Sequence, residues 1–113
     1  ENCELTLLTL AGNKIADQGV EYLCRALESK ECKLASLNVA DNGVTDEDVK
    51  YVGQAVKSAN CKLMSLNLAV NDITDQGGKY LREALKSQNS KLSLYLAGNG
   101  IIDQGIVYPC NAL

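Results

Sequence analysis

The sequence predicts an α/β solenoid: a right-handed coil of strand–helix units with a parallel sheet on its concave side and helices on its convex side. Three observations predict it. An eleven-residue pattern spans Cys3 to Asn13, Cys32 to Asn42 and Cys61 to Asn71, with a shortened copy from Ser90 to Asn99. Inside each copy leucine-type residues alternate with small or polar ones, as in Leu66-Asn67-Leu68-Ala69, which is the period of a strand with one buried face. After each copy the period changes to that of a helix with an apolar stripe. Self-similarity at a period of roughly 20 to 50 residues marks a repeat array. A strand joined through a helix to the next parallel strand crosses over right-handedly in nearly all cases. Strands about 4.8 Å apart and helices about 8 to 10 Å apart then curve the coil toward the strands.

Four repeats are read, at about 3–31, 32–60, 61–89 and 90–113, forming one domain across the 113 residues. Repeat one places its strand near Leu8 to Leu10, breaks at Gly12-Asn13, buries Ile15 and continues into a helix from about Asp17 to Ser29. Gly19, Leu23, Ala26 and Leu27 form the expected inward stripe, with Glu21, Arg25 and Glu28 outward. Repeat two opens its helix with Thr45-Asp46-Glu47-Asp48, a capping hydroxyl followed by acids that suit the positive end of the helix dipole. Its inner stripe is Val52, Ala55 and Val56. Asp48 replaces the glycine found as Gly19, Gly77 and Gly105, which argues against a tight helix-to-sheet approach there, and Gly53 weakens the helix further. Repeat three is the most regular, with Thr74 as cap, Gly77, Leu81, Ala84 and Leu85 inward, and Lys79, Arg82 and Lys86 outward. Repeat four lacks one residue between Leu92 and Leu94, so its leading leucine is expected out of register. Pro109 falls inside its helix and predicts a short or kinked element.

The run Leu63-x-x-Leu66-x-Leu68-x-x-Asn71, followed by Ile73, Gly77, Leu81 and Leu85, resembles a leucine-rich repeat. The 29-residue spacing, the helical second half and the leading Cys-x-Leu are similar to the ribonuclease-inhibitor type, which occurs in intracellular nucleotide-binding immune receptors and some bacterial effectors. The resemblance covers practically the whole chain. It implies a protein-interaction module, and it places the repeated asparagine inward.

Composition narrows the partners. Eleven Lys and Arg against fourteen Asp and Glu give a formal charge of -3, without the basic run that would attract a phosphate backbone. Nucleic acid is therefore not expected as a partner. Apolar runs are too short to span a bilayer, so no membrane partner is expected and the chain reads as soluble. With no Phe and no Trp, the core must be aliphatic. Of five cysteines, Cys3, Cys32 and Cys61 hold one repeat position, which suits a small buried filler better than a disulfide framework. Cys24 and Cys110 lie three repeats apart, beyond bridging distance when helices are spaced about 8 to 10 Å per repeat. Reduced thiols and a cytoplasmic location follow as expectations, with delivery of a bacterial effector into a host cell as the alternative. The ends lack polar capping repeats, which predicts a longer parent protein or end-to-end self-association.

Catalytic chemistry is not expected. There is no His, no phosphate-cradling glycine loop and no cysteine beside a base, and no cofactor is implied. Asp17, Asp46, Asp75 and Asp103 recur at helix starts, where the dipole favours an acid, too far apart to share a metal. Tyr22, Tyr51, Tyr80 and Tyr108 mark one helix position at the solvent boundary. Asn13, Asn42, Asn71 and Asn99 form a structural column that satisfies backbone groups where strand pairing ends. The concave face is left to meet a protein, with Ser36, Asn38, Asp41, Ser65, Asn67 and Tyr95 as its candidate contacts. A charge introduced at Asn38 or Asn67 is expected to spare folding. Two alternatives accompany this reading: a GTPase-activating regulator of the same repeat class, which would need a positioned Arg or Asn, and a scaffold fragment without its own partner. The only arginines, Arg25 and Arg82, are expected on outward helix faces.

Overall fold

A computed structural model describes residues 6–12, 16–88 and 92–99 of the chain. In order the elements are β1 (Leu7–Thr9), α1 (Ala16–Leu27), β2 (Ser36–Asn38), α2 (Asp46–Lys57), β3 (Ser65–Asn67), α3 (Asp75–Gln88) and β4 (Ser93–Tyr95). The strands form one parallel sheet in chain order, with Leu8, Leu37, Leu66 and Leu94 in register across it. The α/β solenoid is thus the fold. Ile15, Pro109, Cys3, Cys110, Asp103, Tyr108, Gly105 and Asn13 lie outside the described residues.

Strands of three residues are shorter than the pattern suggests because their ladder continues as single bonds. Val39 N–H donates to the Asn67 carbonyl at 3.0 Å and Leu68 N–H to that of Tyr95 at 2.9 Å. Asp41 and Val70 then donate to Ala69 and Ala97 at 3.0 and 2.8 Å. Pairing stops there because Asp41 and Val70 turn to φ 58° and 55°, as Gly12 and Gly98 do at 75°.

The core lies between sheet and helices. Leu37, Val39, Val44, Leu66, Leu68, Ile73, Leu94 and Leu96 come from the strand side, and Val49, Val52, Ala55, Leu81 and Leu85 from the helices, all buried. Fully burying one such side chain stabilises by roughly 1.5 to 3 kcal/mol against leaving it exposed. Isolated helices of this length are marginal in water, so this packing holds them.

Three expectations need correction. Ala26, read as part of the inner stripe, is exposed, whereas Ala55 and Ala84 at the same repeat position are buried. That position faces the preceding helix: a Cβ built at Gly53 of α2 would meet the Ala84 Cβ of α3 at 3.7 Å. Ala26 has no such neighbour among the described residues. Leu27 is buried as expected and Leu23 packs partly buried against the core, and Val20 and Cys24 complete the inward face of α1. The leading leucine of repeat four also keeps its place, for Leu92 is only 3% exposed. In repeats two and three the extra residue lets two successive N–H groups share one carbonyl: Ala35 and Ser36 both donate to Thr6, and Met64 and Ser65 both donate to Ala35. In repeat four Ser93 alone donates, to Met64 at 2.9 Å. Removing the extra residue leaves Leu92 and Leu94 two apart, and strand alternation puts both in the core. Finally, Asp48 does not hold α2 off the sheet. It is 2% exposed and closes a capping box in which Thr45 N–H donates to Asp48 Oδ2 at 3.1 Å.

Candidate functional site

The face of the sheet turned away from the helices carries two columns in strict register. Ser36, Ser65 and Ser93 form one, and Asn38, Asn67 and Tyr95 the other. All six are half-buried. β1 extends the columns with Leu7, 61% exposed, and Thr9, also exposed. These columns contain five of the six contact candidates, because alternation along three parallel strands leaves no other face for them.

Asn38 and Asn67 also shape the turn behind them. Asn38 Oδ1 accepts the Ala40 N–H at 3.0 Å and Asn67 Oδ1 accepts the Ala69 N–H at 2.9 Å. Folding therefore uses one half of each amide, which corrects the expectation that any charge at these positions spares the fold: a substitution that removes the oxygen strands a backbone donor. Asp41, the sixth candidate, sits on the rim beyond this turn with Val70 next to it in the repeat column. Both are exposed and left-handed. For a β-branched residue such a φ is an outlier.

Two exposed apolar side chains were not among the sequence-derived contacts. Met64 and Val70, each 55% exposed, bracket β3 at its two ends. Met64 falls at the doubled hydrogen bond, one residue before strand alternation begins. Its signal in the sequence was an apolar residue where repeat two has Ala35 and repeat four has a gap.

Beneath the rim lies the asparagine column. Asn71 Oδ1 accepts the N–H groups of Asn42 and Val44, both at 2.9 Å, while its Nδ2 donates to the carbonyls of Leu68, Ala69 and Val39. Asn42 Nδ2 donates to Leu10 and Ala40, each at 3.0 Å. Asn99 Oδ1 accepts the Ile73 N–H at 3.0 Å and its Nδ2 donates to Leu68 and Leu96. Asn42 and Asn71 are buried. Each amide joins one turn to the previous repeat, so the column ties the rims of successive repeats together beneath the sheet face.

Among the recurring acids, Asp46 has a role that the sequence did not disclose. Asp46 reaches forward to the next repeat, where its Oδ1 accepts the N–H groups of Thr74 at 2.8 Å and Gly77 at 3.1 Å and its Oδ2 accepts the Thr74 hydroxyl. It caps α3, the helix of the next repeat, whereas its own helix is capped by Thr45 and Asp48. Among the described residues no group of three His, Cys, Asp or Glu could hold a metal ion.

On the helix side Tyr22, Tyr51 and Tyr80 are exposed, and Lys50 Nζ lies 5.4 Å from the centre of the Tyr80 ring. The Glu47 carboxylate, and Tyr80 after it, hold the Lys50 ammonium above its ordinary range. Arg25 pairs with Glu21 at 2.7 Å, and Arg82 is on α3. Cys24, Cys32 and Cys61 are free thiols. Burial first, then Glu28, pushes the Cys24 thiol up to about 12, and burial likewise raises Cys61. A thiol held protonated is a poor nucleophile. The cavity beside Cys24, lined by Val20, Leu27, Leu37 and Val52, is about 20 Å³, which suits one water at most. Among the described residues no helix is long and apolar enough to cross a membrane.

Residues 1–24, 30–53 and 59–81 match the family model described as Leucine Rich repeat. Among curated proteins none matches the chain.

Proposed function

The chain belongs to the leucine-rich repeat family, whose repeats are generally non-enzymatic protein-interaction modules, and from that premise we propose that it binds a protein partner on the concave sheet face. One observation carries this: Asn38, Asn67 and Tyr95 stand in register on a face that no helix among the described residues covers, with exposed Met64 and Val70 at either side. Interface cores favour aromatic and Met side chains with a few fixed polar groups, and this patch has that make-up. The rigid asparagine column beneath it means that little order must be imposed on binding.

Within the family we assign the ribonuclease-inhibitor type, because each pair of successive described strands is joined by a helix of three turns or more and the spacing of Asn42 and Asn71 is 29 residues. A cytoplasmic location is part of the same proposal and is supported by three free thiols.

Capture from cell lysate tests the face. Ser65→Arg places a charge on it, and the Ser65 side chain carries none of the turn's hydrogen bonds given above. Lys79→Glu changes the exposed surface of α3. The proposal expects Ser65→Arg to abolish capture and Lys79→Glu to preserve it, with circular dichroism unchanged in both. The reverse result would reject the concave face.

A further inference from the structure

We propose that this face selects its partner through a pair of amide donors that the fold leaves unused, the Nδ2 groups of Asn38 and Asn67, and that the partner is an uncharged protein segment presenting a carbonyl oxygen between them. The inference rests on the concave reading above and adds the chemistry of what is bound.

A carboxamide has one accepting oxygen and one donating nitrogen. At both positions the oxygen accepts a hydrogen bond from the chain's own turn, at 3.0 and 2.9 Å. That bond fixes the amide plane and leaves each Nδ2 for the sheet surface, where among the described residues neither nitrogen donates to any group. Asn38 and Asn67 are register partners on adjacent strands, which places equivalent atoms about 4.8 Å apart. Two hydrogen bonds of about 2.9 Å each can span up to about 5.8 Å, so one oxygen seated between the nitrogens can accept from both.

Docking removes water from these half-buried donors, and a partner without acceptors would leave them unpaired. A carboxylate could accept, but the electrostatics oppose it. Every described Lys and Arg lies on a helix or on the segments between helix and strand, none on the sheet face, and the exposed acid Asp41 stands on the adjoining rim. An anion here would lose its hydration without gaining a cation. A neutral main-chain or carboxamide carbonyl has no such cost. Met64, Tyr95 and Val70 then supply apolar contact for uncharged neighbours of that carbonyl.

Random peptides displayed on phage and selected against the folded chain test the inference. Clones that survive Lys79→Glu and are lost with Ser65→Arg bind the concave face. These clones should be uncharged at their centre. Asn67→Asp and Asn38→Asp each keep an oxygen for the turn while replacing the donors with a negative oxygen, so each should weaken those clones by about tenfold or more. With a terminally capped synthetic copy of one clone, the side-chain NH2 signals of Asn38 and Asn67 should shift in the nitrogen–proton NMR spectrum of the unsubstituted chain. Concave binders that are acidic, that tolerate both aspartates, or that leave the NH2 signals unmoved overturn the donor rule while the concave face stands. Clones confined to the helix face, or no clones, overturn both.

Discussion

Asp46 and Gly77 belong to different repeats, yet the carboxylate of the first accepts the backbone N–H of the second at 3.1 Å. A helix start is therefore completed from the repeat before it. Gly77 permits this because a Cβ there would overlap the Asp46 carboxylate and lie 2.7 Å from Ile73 Cγ2. In α2 the equivalent position is Asp48, which caps from within its own helix. The repeats satisfy the same free amides by two routes, one local and one between repeats.

Two glycines in neighbouring helices should consequently respond in opposite directions. Gly77→Ala should destabilise by roughly 1 to 3 kcal/mol through overpacking, and Asp46→Ala by about 1 kcal/mol through loss of the cap. Because both remove one contact, the double variant should lose less than the sum. Gly53→Ala should stabilise by about 0.5 to 1 kcal/mol, since its Cβ meets only ordinary contacts at 3.7 and 3.9 Å. Urea unfolding of the four variants measures all of this, and additive losses at Asp46 and Gly77 would show that the cap does not couple them.

Val70 holds a left-handed backbone at φ 55° with its side chain 55% exposed, so it bears strain with little burial in return. A left-handed residue with a Cβ costs roughly 1 to 2 kcal/mol, partly offset by the backbone entropy that glycine would lose. Val70→Gly should raise stability by about 0.5 to 1 kcal/mol, or a melting temperature by several degrees. If the proposed face is right, the same change should weaken partner capture, separating stability from binding. A variant both less stable and unimpaired in capture would show Val70 to be a packing residue.

Cys24 predicts an alkaline loss of stability. Its thiol is shifted from 9.0 up to about 12 in the fold, so above pH 9 the unfolded chain releases a proton that the folded chain retains. The stability is full below pH 9 and falls as pH rises toward 12, by up to about 1.4 kcal/mol per unit. Between pH 8 and pH 10 the parent should lose about 1.4 kcal/mol more than Cys24→Val, which has no thiol to ionise. Guanidinium unfolding at the two pH values measures the difference, in which tyrosine and lysine contributions common to both chains cancel. Equal losses would place Cys24 in contact with water.

Local pattern made much of this molecule legible. Leu66, Asn67 and Leu68 already declared which residue faces the core, because side chains alternate along any strand. The asparagine spacing declared how many turns must be joined. Ala26 was misread because its burial depends on a neighbouring helix, and repeats that look identical in sequence differ in what stands beside them. Leu92 was misread because counting residues from the previous repeat ignores where the backbone doubles a hydrogen bond. Met64 went unseen because an apolar residue in an array of apolar residues carries no mark of exposure.

By itself the sequence determined the period, the alternation of strand and helix and the aliphatic core, since each follows from residue types at fixed spacings along the chain. Only the tertiary structure decided which atoms of those residues remain available. Asp46 became the cap of the following helix, and Asn38 and Asn67 came to hold their oxygens on their own turns, because hydrogen bonds between repeats and across turns depend on distances that linear spacing does not contain. Which half of each amide folding leaves unused is likewise a matter of those distances, and the sequence carries no mark of it.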